Sequence, residues 1–308
     1  MPVNFRQTTL RKPVSCIGIG LHSGRQIGMT IRPAPANHGI VFVRRDVRDR
    51  PATIAARWHN VSRTDLSTTL GNEHGVTVAT VEHLMAALRG CGVDNAVVDL
   101  DGPELPIMDG SAEPFVRIIR HAGTVELESP RFVMWLHRVV EVRDGDKLAM
   151  LLPGPHSRIT VSIDFGERVV GAQSHTFEAG RDLFDAELAR ARTFGFRDQV
   201  EALHARGLAL GGSQRNAIVI DADGVANPEG LRFADEFARH KVLDCLGDLS
   251  LAGVPIMGHF YGYKPGHGLN NALLLELFTQ RDAWSYVTMD EYGRIQGIGQ
   301  DDGEVVAG

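Results

Sequence analysis

Hydrophobic positions change their spacing several times along the chain, and each change marks an element. "RQIGMTIRPA" and "HGIVFVRRD" alternate apolar and polar residues between turn-formers, which predicts strands, and "VTVATVEHL" reads the same way. "EHLMAALRGCG" shifts to helical spacing, with Leu84, Ala87 and Leu88 on one face and glycines to stop it. "VDNAVVDLDG" returns to a strand. "SAEPFVRIIRHAG" predicts a second helix, with Ser111 as N-cap and Gly123 as its stop.

The second half repeats this order. Strands are predicted in "FVMWLHRVVEV", "KLAMLLPG" and "RITVSIDF", a helix in "DLFDAELARAR", then a glycine-rich connection, "RGLALGGS". A long helix is predicted over about residues 235–251, stopping at Gly253. "VPIMGHFYGYK" then reads as strand, "PGHG" as a turn and "NNALLLELF" as a helix. The halves also align locally. His83 lies nine residues before Gly92-Val93, and Asp244 nine before Gly253-Val254. Val81, Met85 and Leu88 correspond to Val242, Leu246 and Leu249. An internal duplication explains both the order and the offset. Two layered α+β domains facing each other would bring His83 and Asp244 towards a shared cleft. The polar segment "GTVELESPRF", with Pro130, is the expected boundary between domains 1–126 and 127–308, and the tail "DDGEVVAG" is expected to be loose.

A length of 308 residues has room for two such domains, and 43% hydrophobic with 23% charged residues is the profile of a globular protein. A formal net charge of -6 excludes general nucleic-acid affinity, because no basic excess is present to neutralise phosphates. Cys16, Cys91 and Cys245 are far apart and form no C-x-x-C pair, so neither a disulfide framework nor a thiolate zinc site is indicated. They read as core thiols of a reducing compartment. The N-terminus lacks the features of a signal peptide, and no run of 18 apolar residues occurs, so a cytoplasmic protein without a transmembrane segment is expected.

Chemistry enters at "HKVLDCLGD". His240, Asp244 and Asp248 recur every four residues on one helical face, while Val242, Leu243, Cys245 and Leu246 make much of the circumference apolar. A polar face on such a helix lines something. A neutral imidazole with a carboxylate suits a divalent ion such as zinc, and a His–Asp hydrogen bond on a solvated face is the plainer alternative. "TVEHL" puts Glu82 and His83 in the corresponding place of the other half but lacks the second histidine of H-E-x-x-H. Adjacent helix residues diverge by about 100°, so His83 could hold a metal while Glu82 reaches water at its edge. The plainer alternative there is an exposed glutamate beside a buried, hydrogen-bonded histidine. "YKPGHGLNN" adds His267 on a Gly-flanked turn, where ligand contact and simple helix capping both remain open.

The blocks "GIGLHSG", "TVEHLMAAL", "GVDNAVVDLDGPELPIMDGSAEPFV", "LARARTFGF", "LALGGS", "FARHKVLDCLGDL" and "YKPGHGLNN" follow one another from end to end. With them the chain resembles the UDP-3-O-acyl-N-acetylglucosamine deacetylases of lipid A biosynthesis. The resemblance implies two domains of similar α+β topology, each a layered sheet and helix sandwich, packed face to face with the active site between them. It implies one zinc ion per chain, held by His83, His240 and Asp244 with a fourth position open. The same donors would also accept iron(II). Glu82 would be the general base towards water at the metal, and His267 the cationic general acid towards the departing amine. Asp248 would favour the imidazolium of His267, and Thr193 would donate its hydroxyl to the tetrahedral oxyanion.

For substrate, the resemblance implies an acylated UDP-N-acetylglucosamine, deacetylated to acetate and a free amine by a monomer. Lys241 is the first candidate for the diphosphate, with Lys264 and Lys147 behind it. Phe194 and Phe196 would wall the sugar or acyl site. The stretch "LHARGLALGGSQRNAIVI" lies in a strand-helix-strand excursion, about residues 193–220, suited to an acyl channel. Arg197-Asp198 follow "RTFGF" directly, where the family commonly has one residue between, so no nucleotide role is carried to Asp198. A peptide-cleaving zinc hydrolase and a non-catalytic binder of acylated sugar nucleotides are the rival readings.

Overall fold

The computed structural model describes residues 4–166, 169–180 and 182–297; the tail at residues 301–308 lies outside them. Strands β1 (Val14–Ile19), β2 (Gln26–Pro33), β3 (Ile40–Arg44), β4 (Thr53–Ala55) and β5 (Ala96–Leu100) form one sheet in the order β1-β2-β5-β3-β4. Only the β3–β5 pair is parallel in this sheet. Helix α1 (Glu82–Gly90) precedes β5, and α2 (Glu113–Ala122) follows it.

The second half builds the same object. Strands β6 (Val140–Asp144), β7 (Lys147–Leu152), β8 (Ser157–Asp164), β9 (Ala172–Glu178) and β10 (Ile256–Tyr263) run in the order β6-β7-β10-β8-β9, with only β8–β10 parallel. Helix α3 (Glu236–Leu249) precedes β10, and α4 (His267–Thr279) follows it. Strand order, pairing sense and helix placement all repeat, as the local alignment of the halves predicts. Two extra strands, Phe132–Leu136 and Trp284–Thr288, extend the second sheet beyond the start of β10.

The helices fill the space between the sheets. α1 packs on α3, while α2 and α4 pack beside them and against β1 and β6 respectively. Every residue of α1 except Arg89 is buried, and every residue of α3 except Arg239 and Lys241. The reason for the close approach is Gly247. A Cβ there would sit 2.1 Å from the Glu82 carbonyl oxygen, so only glycine lets the two backbones touch. The polar residues of both helices are thereby enclosed at the junction of the halves. Among the described residues, no helix is long and apolar enough to cross a membrane.

Several expectations are corrected. "VTVATVEHL" is strand only at Thr77–Val78, because Thr80 takes a positive φ of 59° and turns the chain into α1. The N-cap of α2 is Ala112 rather than Ser111, although the Ser111 hydroxyl still accepts from Glu113 N at 3.2 Å. "FVMWLHRVVEV" breaks into Phe132–Leu136 and β6, since His137 N turns aside to the Ala283 carbonyl. "DLFDAELARAR" is helical only over Phe184–Glu187, because its later residues are drawn into tertiary bonds with α3. The expected boundary segment "GTVELESPRF" stands apart from these corrections: it forms a strand (Thr124–Pro130) paired antiparallel with Arg6–Leu10, with a register shift between Arg6 and Thr8. His267 does not precede a helix but opens α4, with Gly266 as N-cap.

Candidate metal centre and its cleft

α1 and α3 cross where Gly247 meets Glu82, and this crossing brings the candidate ligands of the two halves together. Donor atoms of His83, His240 and Asp244 all lie within 4.8 Å of one another, and all three residues are buried. His240 Nε2 is 3.3 Å from Asp244 Oδ1, and His83 Nε2 is 3.6 Å from the same oxygen. These are long for hydrogen bonds. A tetrahedral ion with bonds of about 2.0–2.1 Å requires donors about 3.3–3.4 Å apart, and the two nitrogen-to-oxygen separations lie close to that spacing.

Protonation agrees with that arrangement. His240 Nδ1 donates to the Ala191 carbonyl at 3.0 Å, which leaves the Nε2 lone pair facing Asp244. Burial pushes the His240 pKa down to about 3, against the pull of Asp244, so the ring is neutral. Burial works against the Asp244 carboxylate too, yet the Lys241 ammonium beside it holds it well below the usual range. His83 Nδ1 is buried with no hydrogen-bond partner among the described residues. Two histidine ring nitrogens, the His240 ring neutral, and an ionised carboxylate fit a divalent cation of the zinc or iron(II) kind.

Glu82 and His267 lie on the same cavity as these three residues. Glu82 Oε2 accepts from Thr68 N at 3.0 Å, and burial raises its pKa, opposed by His267 and His83. His267 Nδ1 donates to Asp248 Oδ2 at 2.8 Å. Burial alone would lower the His267 pKa, but Asp248 and then Glu82 and Asp244 outweigh it and raise it to about 9. Asp248 also accepts from Thr68 Oγ1 at 2.6 Å and Asn270 Nδ2 at 2.9 Å. The third polar residue of the α3 face thus serves His267, one turn beyond Asp244.

The cavity has a volume of about 960 Å³. Thr193 and Phe194 line it, the Phe194 ring standing 6.4 Å from that of His240 and packing edge-on against Phe237 at 4.9 Å. Thr193 N donates to the Gly110 carbonyl at 2.8 Å, which ties it to the first half. Gly110 is required there: its φ is 85°, and a Cβ would lie 2.2 Å from the Asn216 carbonyl oxygen. Beyond Phe194 the strand Phe194–Phe196, the helix Val200–Ala205 and the strand Ile218–Asp221 form a small excursion, the two strands pairing in parallel. Val200, Leu203 and Ile218 give the cavity an apolar wall.

The lysines sit differently from one another. Lys241 is not a free cation, since its Nζ reaches Asp244 Oδ2 at 2.8 Å and stands 5.7 Å above the Phe194 ring. Lys264 and Lys147 line the cavity further out, Lys264 paired with Asp146 at 2.8 Å and Lys147 with Asp144 at 3.3 Å.

Three contributors escape a reading of the sequence. Thr68 joins Glu82 to Asp248 across sequence separations of 14 and 180 residues, and nothing in "SRTDLSTTL" announces it. Asn270, three residues after His267 on α4, was open to the same helical-face argument as His240 and Asp244. His22, in the block "GIGLHSG", lines the cavity and accepts from Ala209 N at Nδ1, so its buried Nε2 carries the hydrogen.

Comparison with known proteins adds four relations. Residues 7–279 match the family model described as UDP-3-O-acyl N-acetylglycosamine deacetylase. A protein of Myxococcus xanthus named UDP-3-O-acyl-N-acetylglucosamine deacetylase is 51% identical over 286 residues, covering 93% of this chain and 90% of its own. Proteins of the same name from Geotalea uraniireducens and Phenylobacterium zucineum are each 50% identical, over 92% of this chain and 92% and 97% of theirs.

Proposed function

The chain belongs to the UDP-3-O-acyl-N-acetylglucosamine deacetylase family, and from that premise we propose that His83, His240 and Asp244 hold its catalytic metal. The activity is hydrolysis of the N-acetyl amide of UDP-3-O-acyl-N-acetylglucosamine, within lipid A biosynthesis. We assign zinc, with iron(II) as the other ion that the donors accept. When bound, such an ion polarises the amide carbonyl and lowers the pKa of water towards about 7.

The remaining steps belong to side chains. Glu82, held by Thr68 N and raised in pKa by burial, takes the proton of the attacking water. His267, charged below a pKa of about 9, protonates the departing nitrogen, which would otherwise leave as a strongly basic anion. Asp248 keeps that imidazolium in place through the 2.8 Å bond to Nδ1. Thr193 offers its hydroxyl to the oxyanion from the cavity wall.

The apolar wall of Val200, Leu203 and Ile218 suits the acyl chain, and Phe194 and Phe196 suit a wall of the sugar or acyl site. Lys147 and Lys264 at the outer end, with Lys241 further in, suit the diphosphate. The repeated strand order supports a division into domains 1–126 and 127–308. One chain carries every assigned residue, which fits a monomer, and three unpaired cysteines fit the reducing cytoplasm.

The convergence of donors from α1 and α3 carries this reading. Its test is acetate release from the acylated UDP-sugar together with metal analysis. Purified wild type is expected to hold one divalent ion per chain and His240→Ala none; full occupancy in that variant would contradict the ligand set.

A further inference from the structure

The peptide bond between Ala191 and Arg192 is gripped from both ends by two side chains of α3. Its carbonyl oxygen accepts from His240 Nδ1 at 3.0 Å, and its N–H donates to Glu236 Oε1 at 3.0 Å. Glu236 and His240 are one helical turn apart, so a single helix face spans the peptide plane. Glu236 is wholly buried, and its carboxylate also takes Arg192 Nε at 2.9 Å and Nη2 at 3.2 Å. The Arg192 guanidinium, 3% exposed, is completed by Glu229 Oε1 at 2.8 Å and the Gly230 carbonyl at 2.7 Å. A charged pair this deep costs desolvation that packing of apolar residues would avoid. Its position gives it a use.

Metal-binding histidines commonly donate their second N–H to a carboxylate, which fixes the ring and strengthens the ligand. Here the acceptor is a carbonyl, with a carboxylate on the far side of the same peptide. A negative acceptor on the N–H polarises the amide and makes its carbonyl oxygen a stronger acceptor. We propose that Glu236 is a positioning residue for the metal centre, acting on His240 through the Ala191–Arg192 peptide as a carboxylate–peptide–histidine relay. Arg192 holds the carboxylate in line and keeps residue 193, hence Thr193, beside the ligands.

The proposal rests on the metal assignment above. Its test is chelator competition on the full-length zinc-loaded protein, comparing wild type with Glu236→Gln. Glutamine still accepts from the N–H but carries no charge, and zinc affinity is expected to fall about 10- to 100-fold. Should burial of an unpaired Arg192 prevent folding, the double variant Arg192→Met, Glu236→Gln removes both charges and keeps the backbone N–H. Glu229→Gln, which touches Arg192 but not the peptide, is expected to leave zinc affinity unchanged. The cobalt-substituted forms give a second readout, because a reoriented His240 shifts the visible absorption bands. A folded charge-neutral variant that binds zinc within twofold of wild type, with the same cobalt spectrum, overturns the relay alone. Wild type that binds no ion overturns the metal assignment itself.

Discussion

His240 and His267 are buried in one cleft, yet their protons are held in opposite ways. At His267 the folded pKa of about 9 lies above the ordinary 6.5. Its stabilising contribution is therefore complete below about pH 6.5 and lost as the pH rises towards about 9. At His240 the folded pKa of about 3 lies below 6.5, so stability is lost as the pH falls from 6.5 towards 3. Urea unfolding midpoints should decline across pH 6.5 to 9, and Asp248→Asn should flatten that decline by removing the anion that raises His267. A decline of the same steepness in the variant would show that another group titrates. Glu82→Ala separates chemistry from binding. Metal content should stay at the wild-type level while turnover drops roughly 10²- to 10⁴-fold, the usual contribution of a general base. Normal turnover with an intact fold would remove Glu82 from that role.

At the level of elements, the crossing of α1 and α3 decides whether a site exists. Both helices are short of apolar amphipathicity in the ordinary sense, since nearly their whole circumference is buried. Gly247 sets their spacing. Gly247→Ala would force a methyl group to within 2.1 Å of the Glu82 carbonyl, and the helices must separate. Overpacking of this kind costs about 1–3 kcal/mol, and a contact as close as 2.1 Å against backbone belongs at the upper end, above the roughly 1 kcal/mol that alanine gains in helix propensity. The variant should therefore show a lower urea midpoint and a weaker grip on zinc together, because Glu82 and His83 ride on the displaced helix. Loss of stability with unchanged zinc affinity would mean that the crossing does not set the ligand geometry.

For the molecule as a whole, an ion held by the proposed ligands would brace two halves that share one topology. His83 comes from the first half, His240 and Asp244 from the second, so binding is linked to their association. A ligand that binds only the folded state adds about 4 kcal/mol when present at a thousand times its Kd. Chelation should lower the Tm, and His83→Ala should abolish that metal dependence as fully as His240→Ala does. If either variant kept the wild-type shift, the two halves would not share the ion.

Much of the local order of strands and helices, and the repeat of that order, was legible from spacing alone, because periods of 2 and 3.6 are properties of a single segment; the ligand set came from the family resemblance, since the i,i+4 spacing left a plain His–Asp hydrogen bond open. "EHLMAAL" and "HKVLDCLGD" announce buried helices with polar residues on them, and they are such helices. What no segment contains is the partner. Thr68 finds Asp248, Glu236 finds the Ala191–Arg192 peptide, and "DLFDAELARAR" surrenders most of its helix to those contacts. Hydrogen bonds across such distances in sequence depend on how the two layers of helices stack, and that stacking turns on a few close contacts such as Gly247 against Glu82. Donor identity is written in the chain; the distances between donors, and the burial that sets their protonation, arise only when the halves close on each other.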